Sequence, residues 1–466
     1  MLFQYYIIEP KVYKVKPLKV PHEILKDYKS KYLEFKDIYE SQKRPIAVNF
    51  REIVDEKFYD RATHLIHSYP AKLIPNIPYF FLNNSYFVNK GDRILDPFSG
   101  SGTVMLEGQL SGLKTFGADA NPLARLISSV KTNSYDLKLI KTLFNKIESN
   151  YIKNDAKQNY PDVVNIDYWF LPHIKKQLNQ ILNCIEMLES EKYRNFFLLS
   201  FSNLVKKVSL ADSRISVPVR LNPEKYPIGH QLRTKQQNTL ENLKTVQVFE
   251  KYKEIVNQNL KRFTYKSEFN PLHNGQVISD DARALDLPNK SVDFILTSPP
   301  YAGAQKYIRA SSLNLGWTKL GPSSNLKTLD RKNIGRENYK KADYLELNKT
   351  GNTDADKLLK KIYSINPLRA HIASNYLIEM TQALKESIRV LKKDKYFVIV
   401  AANNNVCGFE FETQRYLKEI AVKYGMQIEC ELIDDIQSYG LMTKRNKTAS
   451  IISCEWVLIL KKNPNE

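Results

Sequence analysis

The sequence predicts an α/β protein built on a Rossmann-like, mostly parallel sheet. Three observations predict it. Residues 93–119 read as strand, Gly-rich turn, helix and strand, and the second strand ends on an acid, Asp119. Residues 292–296 (VDFIL) form an apolar run suited to a buried parallel strand, and they lead directly into Thr297-Ser298-Pro299-Pro300-Tyr301. Seven strand candidates occur in all, with stretches of helical periodicity among them.

Length and composition set the frame. A chain of 466 residues and 54.1 kDa can bury a large core, either as two or three domains or as one large domain with insertions. Lysine and arginine number 70 against 50 acids, a net charge of +20 and a pI near 9.4, which favours a polyanionic partner. No stretch approaches the ~18 uninterrupted apolar residues that span a bilayer, so no membrane role is expected. The N-terminal residues show a short apolar run with neither a basic leader nor a small-residue cleavage site, which predicts a cytoplasmic protein. The four cysteines, Cys184, Cys407, Cys430 and Cys454, form no CxxC pair, and neither zinc site nor disulfide framework is expected.

Taken in order, residues 1–60 are basic and aromatic, with an amphipathic helix within 22–41 that either lies along nucleic acid or packs on the main domain. His64 and His67 stand three apart but lack an accompanying acid or cysteine triad, so no metal is expected. In the strand–turn–helix unit, Gly100 and Gly102 let the backbone approach a ligand, and Asp119 is placed to hold two ribose hydroxyls. Met105 stands where the dinucleotide fingerprint requires glycine, which argues against a nicotinamide cofactor.

Residues 134–270 form a long, largely helical insertion. Its clearest helix puts Ile174, Leu178, Ile181, Leu182, Ile185 and Leu188 on one face. Residues 209–238 are polar, basic and turn-rich, either a nucleic-acid-contacting loop or a mobile linker. Strand 276–279 follows, then Asp280 and Asp281, then the strand that ends in the tetrad. Beyond it, Tyr307 and Arg309 are candidates to line a base pocket or touch phosphate. The polar segment 321–366 reads as flexible, ordered by nucleic acid, or simply solvated. A helix at 376–391, a strand at 396–402, a helix capped by Gly425 and two strands in QIECELI and IISCEWVLIL complete the chain. Between those two strands Thr443-Lys444-Arg445-Asn446-Lys447 forms a basic loop suited to phosphates.

The tetrad's chemistry follows from its side chains. Two successive prolines remove two N–H donors, so the carbonyls of Ser298 and Pro299 stand beside the Ser298 hydroxyl as acceptors. Such acceptors suit an exocyclic base amine, and holding its hydrogens makes its nitrogen more nucleophilic. Tyr301 offers a flat face on which an extruded base can stack. No Pro-Cys nucleophile exists for attack on a ring carbon, which points to nitrogen as acceptor.

Ser298-Pro299-Pro300-Tyr301 resembles the (S/D/N)-P-P-(Y/F/W) signature of the amino-group DNA methyltransferases. Residues 96–103 (DPFSGSGT) resemble that family's S-adenosylmethionine motif, and His67-x-Tyr69-Pro70-Ala71-Lys72 resembles the segment that precedes it in one subset. The resemblance implies a seven-stranded class I methyltransferase sheet whose last strand inserts antiparallel. It implies cofactor contacts from Asp96, Pro97, Phe98, Ser99, Gly100, Ser101, Gly102 and Thr103 at the methionine end, and from Asp119, Ala120 and Asn121 along the adenosine. Pro70 and Lys72 would close the methionine end, with Lys72 against the carboxylate. Asp281 with Ala282 would meet the adenine edge, Asp280 being the alternative acid. Catalysis would fall to Ser298, Pro299, Pro300 and Tyr301.

The implied organisation is an N-terminal extension (1–60), a cofactor-binding half (61–133), a helical insertion that is a candidate DNA-recognition region (134–270) and a catalytic half (271–466). The segment after the tetrad is a second candidate for recognition. Serine in the first position is more typical of N4-cytosine enzymes than of N6-adenine ones. The implied partner is double-stranded DNA with one base flipped, with a companion restriction endonuclease possible and oligomeric state open. An RNA amino-methyltransferase and a silent DNA-binding subunit are the rival readings.

Overall fold

The computed structural model describes residues 26–54, 61–70, 72–153, 159–303, 306–435 and 454–464. Ten strands occur among them: β1 (Ile46–Val48), β2 (Arg93–Asp96), β3 (Lys114–Ala118), β4 (Gln276–Ser279), β5 (Val292–Thr297), β6 (Leu391–Ala401), β7 (Asn404–Val406), β8 (Phe409–Phe411), β9 (Met426–Asp435) and β10 (Cys454–Lys462). Eight of them form one sheet in the order β1-β9-β10-β6-β5-β2-β3-β4, while β7 and β8 pair apart as a hairpin. From β6 through β5, β2, β3 and β4 every pairing is parallel, and β10 inserts antiparallel to both β6 and β9. This is the class I methyltransferase sheet. The seven strands expected from the sequence are all present, and a short eighth one, β1, adds to β9 in parallel.

Alternation along the central strands explains why two layers of helices cover the sheet. Phe294, Leu296, Val398, Val400, Val457 and Ile459 point to one face, where they meet helix Lys29–Gln42 through Tyr32 and Phe35 and helix Asn76–Leu82 through Phe80 and Phe81. Ile295, Phe397, Ile399, Leu458 and Leu460 point to the other, against helices Thr353–Ile365, Pro367–Val390 and Thr413–Lys423. The amphipathic helix expected within 22–41 therefore packs on the main domain: Tyr39 donates to Glu431 at 3.0 Å, and Lys36 pairs with Glu429 at 2.7 Å.

The stretch 134–270 carries helices Leu137–Lys153, Pro172–Glu186, Glu191–Lys207, Gln231–Thr245 and Val248–Ser267. They share one hydrophobic core with helices Pro122–Thr132 and Tyr307–Trp317, so they are built onto the cofactor side and the segment after the tetrad alike. All six residues of the expected apolar face, Ile174 through Leu188, are buried.

Two expectations are corrected. Residues 209–238 are no free linker: Leu210, Ala211 and Leu221 are buried, and Asp212 is held by Arg214 and by Gln236 at 3.0 Å. Residues 321–366 are likewise folded. They contain helices Leu326–Lys332 and Thr353–Ile365, and Leu329, Ile334, Ala355, Leu359 and Ile362 supply a buried apolar stripe that the surrounding charges obscured in the sequence. The basic loop 443–447, Ala71 and most of the N-terminal extension lie outside the described residues.

Candidate functional site

The site is set by the order of the central strands. β2 and β5 are neighbours, with Ile94 opposite Phe294 and Leu95 opposite Ile295, and strand order reverses between them. At that point two parallel strands send their connections to opposite sides and leave a crevice beyond their carboxyl ends. Register brings Asp96 level with the end of β5, where the Thr297 hydroxyl donates to Asp96 Oδ1 at 2.6 Å. The first residue of the tetrad follows immediately.

Residues 96–103 fold as a loop closed largely upon itself. The Phe98 N–H donates to Asp96 at 3.1 Å, Ser99 N–H to the Ala118 carbonyl at 2.8 Å and Gly102 N–H to the Ser99 carbonyl at 2.7 Å. Asp119, at the end of β3, accepts from the Gly100 N–H and the Asn121 N–H, both at 2.8 Å. Gly102 needs its missing side chain, since φ is +71° and a Cβ would meet Ser128 Cβ at 2.8 Å in helix Pro122–Thr132. Asn121 caps that helix through Leu123 N–H and ties Tyr69 and Ser311 together through its amide.

Burial shapes the electrostatics. It pushes the Asp96 carboxyl up to about 7, although the Thr297 hydroxyl and Phe98 N–H pull the other way. It pushes Asp119 up to about 6, again against its two backbone donors.

One cleft gathers residues from both motifs. Its walls are Tyr69, Pro97, Phe98, Gly100, Asp119, Ala120, Asp281, Ala282, Ser298, Pro300 and Tyr307, closed by Lys332, Asn333 and Ile334. Phe98, Ala282 and Ile334 give apolar surface for a flat base, and Asp119 gives acceptors for a ribose. The buried Ser101 hydroxyl in the Gly-rich loop has no partner among the described residues. Together these suit a nucleoside-bearing ligand.

Other expected contacts stand behind this lining. Asp96, Ser99, Ser101, Gly102, Thr103 and Asn121 form the frame of the loop, and Pro299 is buried beneath Ser298 and Pro300. Pro70 follows Tyr69 outside the lining. The Lys72 ammonium donates to the His67 carbonyl at 2.7 Å and the His64 carbonyl at 3.4 Å, and burial together with nearby Arg262 lowers it to about 8. Asp281 accepts three donors from Arg283, at 2.9, 2.8 and 2.9 Å, whereas Asp280 pairs with Lys332. The Tyr301 hydroxyl donates to Glu455 on β10 at 3.3 Å. Burial raises Glu455 to about 7, and Asp434 opposite it on β9 adds to the effect.

His64 and His67 belong to the frame as well. His64 contacts Glu107 at 2.5 Å beside the Arg61–Glu107 ion pair, and His67 contacts Ser202 at 3.1 Å. Sequence reasoning missed Thr297, Asn333, Ile334 and Glu455. Thr297 could have been found from its place at a strand end beside the tetrad; the others carried no signal, because each comes from a remote segment.

The sequence has counterparts among known proteins. Residues 66–155 match the family model described as "RMKL-like, methyltransferase domain". The chain is 25% identical over 431 residues to Type II methyltransferase M.MvaI of Kocuria varians, covering 87% of this chain and 92% of that protein. It is 22% identical over 338 residues to Type II methyltransferase M.MjaII of Methanocaldococcus jannaschii, covering 55% and 62%. To Type II methyltransferase M.BsoBI of Geobacillus stearothermophilus it is 27% identical over 266 residues, covering 51% and 49%.

Proposed function

From the likeness to Type II methyltransferases we infer that this chain belongs with the amino-group DNA methyltransferases and methylates an exocyclic amine of a DNA base, with cytosine N4 as the favoured acceptor. Its cofactor is S-adenosylmethionine. The observation that carries the reading is the Thr297–Asp96 hydrogen bond, which joins the end of the tetrad strand to the head of the Gly-rich loop, with Ser298 and Pro300 in one cleft with Phe98, Gly100 and Asp119.

When bound, S-adenosylmethionine supplies a methyl group on a positively charged sulfur. Asp119 would hold the ribose, the Phe98 ring and Ala282 the base, and the backbone of residues 98–102 the methionine end. The Ser298 hydroxyl and the carbonyls of Ser298 and Pro299 accept the hydrogens of the target amine, keeping its lone pair available for the methyl carbon. Tyr301, tethered to Glu455, offers its ring to the flipped base. No strong base belongs to the tetrad, so the proton leaves after transfer. Serine in the first position favours cytosine over adenine. The net charge of +20 supports a duplex partner, and the names of the relatives support a place beside a restriction endonuclease. The helices of 134–270, fixed to both halves of the site, are the proposed recognition region.

Incubation with labelled S-adenosylmethionine and duplex DNA, followed by nucleoside mass spectrometry, tests this. N4-methylcytosine is the expected product. N6-methyladenine would move the acceptor, and methylation of transfer RNA alone would overturn the DNA reading.

A further inference from the structure

The resemblance to known enzymes gives the adenine edge of the cofactor to Asp281, yet that carboxylate is already engaged. Its Oδ1 accepts from the Arg283 backbone N–H and Nε, and its Oδ2 from an Arg283 terminal nitrogen, a bidentate charge-assisted clasp. Arg283 is itself braced by Glu379 at 3.2 Å. Three of the carboxylate's roughly four lone-pair sites are thus taken, which leaves an adenine amine approaching Asp281 a single site on Oδ2, beside the guanidinium.

On the same cleft stands Asn333, just past helix Leu326–Lys332, with Ile334 next to it. The Asn333 amide is oriented by its surroundings: Nδ2 donates to the Leu329 carbonyl at 2.8 Å, which leaves Oδ1 as an acceptor with no donor among the described residues. The segment is fixed on both sides. Lys332 pairs with Asp280 at 2.6 Å, the Lys332 carbonyl accepts from Arg283 at 3.3 Å, and the Asn333 carbonyl accepts from Arg336 at 3.4 Å. Ile334 is buried against the Ala282 side of the core. Beyond it the Gly335 carbonyl accepts from Gly303 N–H at 3.0 Å, two residues past the tetrad.

We propose that Asn333 and Ile334 form the adenine subsite of the cofactor cleft: Asn333 Oδ1 accepts the exocyclic amine, Ile334 covers the ring, and Asp281 serves to hold Arg283. The proposal rests on the reading of the cleft as an S-adenosylmethionine site. It gives the charge-dense segment after the tetrad a definite task, that of selecting the cofactor's base.

The test uses the full chain and two probes, S-adenosylhomocysteine and its inosine counterpart, whose base carries a carbonyl oxygen where adenine carries the amine. An acceptor at Asn333 attracts the first and repels the second. Calorimetry on the unmutated protein is expected to favour the adenosyl probe by about tenfold or more, the size of one hydrogen bond exchanged for an unpaired acceptor. Asn333→Ala is expected to bring the two affinities within about twofold of each other. Asp281→Asn is expected to weaken both probes alike and keep the preference, and Ile334→Ala to weaken both alike because it meets only the ring face. Thermal melting of each variant verifies that it folds. Full preference surviving in Asn333→Ala, or preference lost in Asp281→Asn, would overturn the proposal alone. Failure of the unmutated protein to bind S-adenosylhomocysteine would overturn the cofactor reading and the proposal with it.

Discussion

The Gly-rich loop and the proline tetrad sit at adjacent strand ends, yet they are held in opposite ways. Residues 96–103 are fixed from close by: the N–H groups of Phe98, Ser99, Gly100 and Gly102 all find acceptors within the loop or on β3 and the turn that follows it. The tetrad is held from afar, through Thr297 to Asp96, Tyr301 to Glu455 on β10, the Ala302 carbonyl to Asn404, and Gly303 to Gly335. A Gly-rich loop that is complete in itself is preorganised whatever else binds. A loop held by distant strands depends on how those strands are set, which suits the role proposed for Tyr301, that of meeting a base arriving from outside.

That contrast can be broken at four places. The largest effect is expected from Tyr301→Ala, which should lower turnover about a hundredfold by removing one stacked base–aromatic contact while cofactor affinity persists; rapid-quench methyl transfer with parallel calorimetry measures both, and near-normal turnover would remove the ring from catalysis. Gly102→Ala places a Cβ against Ser128 at a φ of +71°, and should cost about 2 kcal/mol in urea denaturation as well as cofactor affinity. An unchanged midpoint would mean that the loop adapts.

The third effect concerns pH. The Asp96 carboxyl has its folded value raised from 3.8 to about 7 by burial. A raised value means that the folded state binds the proton more tightly, so the resulting stability is complete below the unfolded value and is lost as pH rises through about 7. Asp96→Asn should therefore flatten the fall in denaturation midpoint between about pH 4 and about pH 7; an identical slope in the variant would exclude Asp96 as its source. The smallest effect is expected from Glu455→Gln, which keeps an acceptor for the Tyr301 hydroxyl but not its charge, and should change turnover only about threefold. Steady-state kinetics above and below neutrality would register it, and a loss as large as that of Tyr301→Ala would give Glu455 a chemical role.

Legibility in the sequence follows the same division. Asp96, Gly100, Gly102 and Asp119 stand out because strand, turn and helix are contiguous and their hydrogen bonds close within about twenty-five residues. Most of the seven strands of the class I sheet are readable because buried strands are short apolar runs. The strand β1 was not, since three residues of ordinary composition become a strand only when β9 offers an edge. Residues 321–366 were misread because their charges face outward while Leu329, Ile334, Leu359 and Ile362 face in, a pattern that scattered lysines and acids conceal.

The amino-acid order by itself determined the two motifs, their sequence along the chain and the strands that carry them, because local backbone geometry and apolar periodicity act over short distances. Only the tertiary structure decided that Asp96 and Thr297, 201 positions apart, share a hydrogen bond, that Glu455 reaches Tyr301, and that Asn333 and Ile334 close the cleft. Those meetings are produced by the reversal of strand order at β2 and β5 and by the antiparallel insertion of β10, and no short-range pattern encodes which distant segments such a sheet brings together.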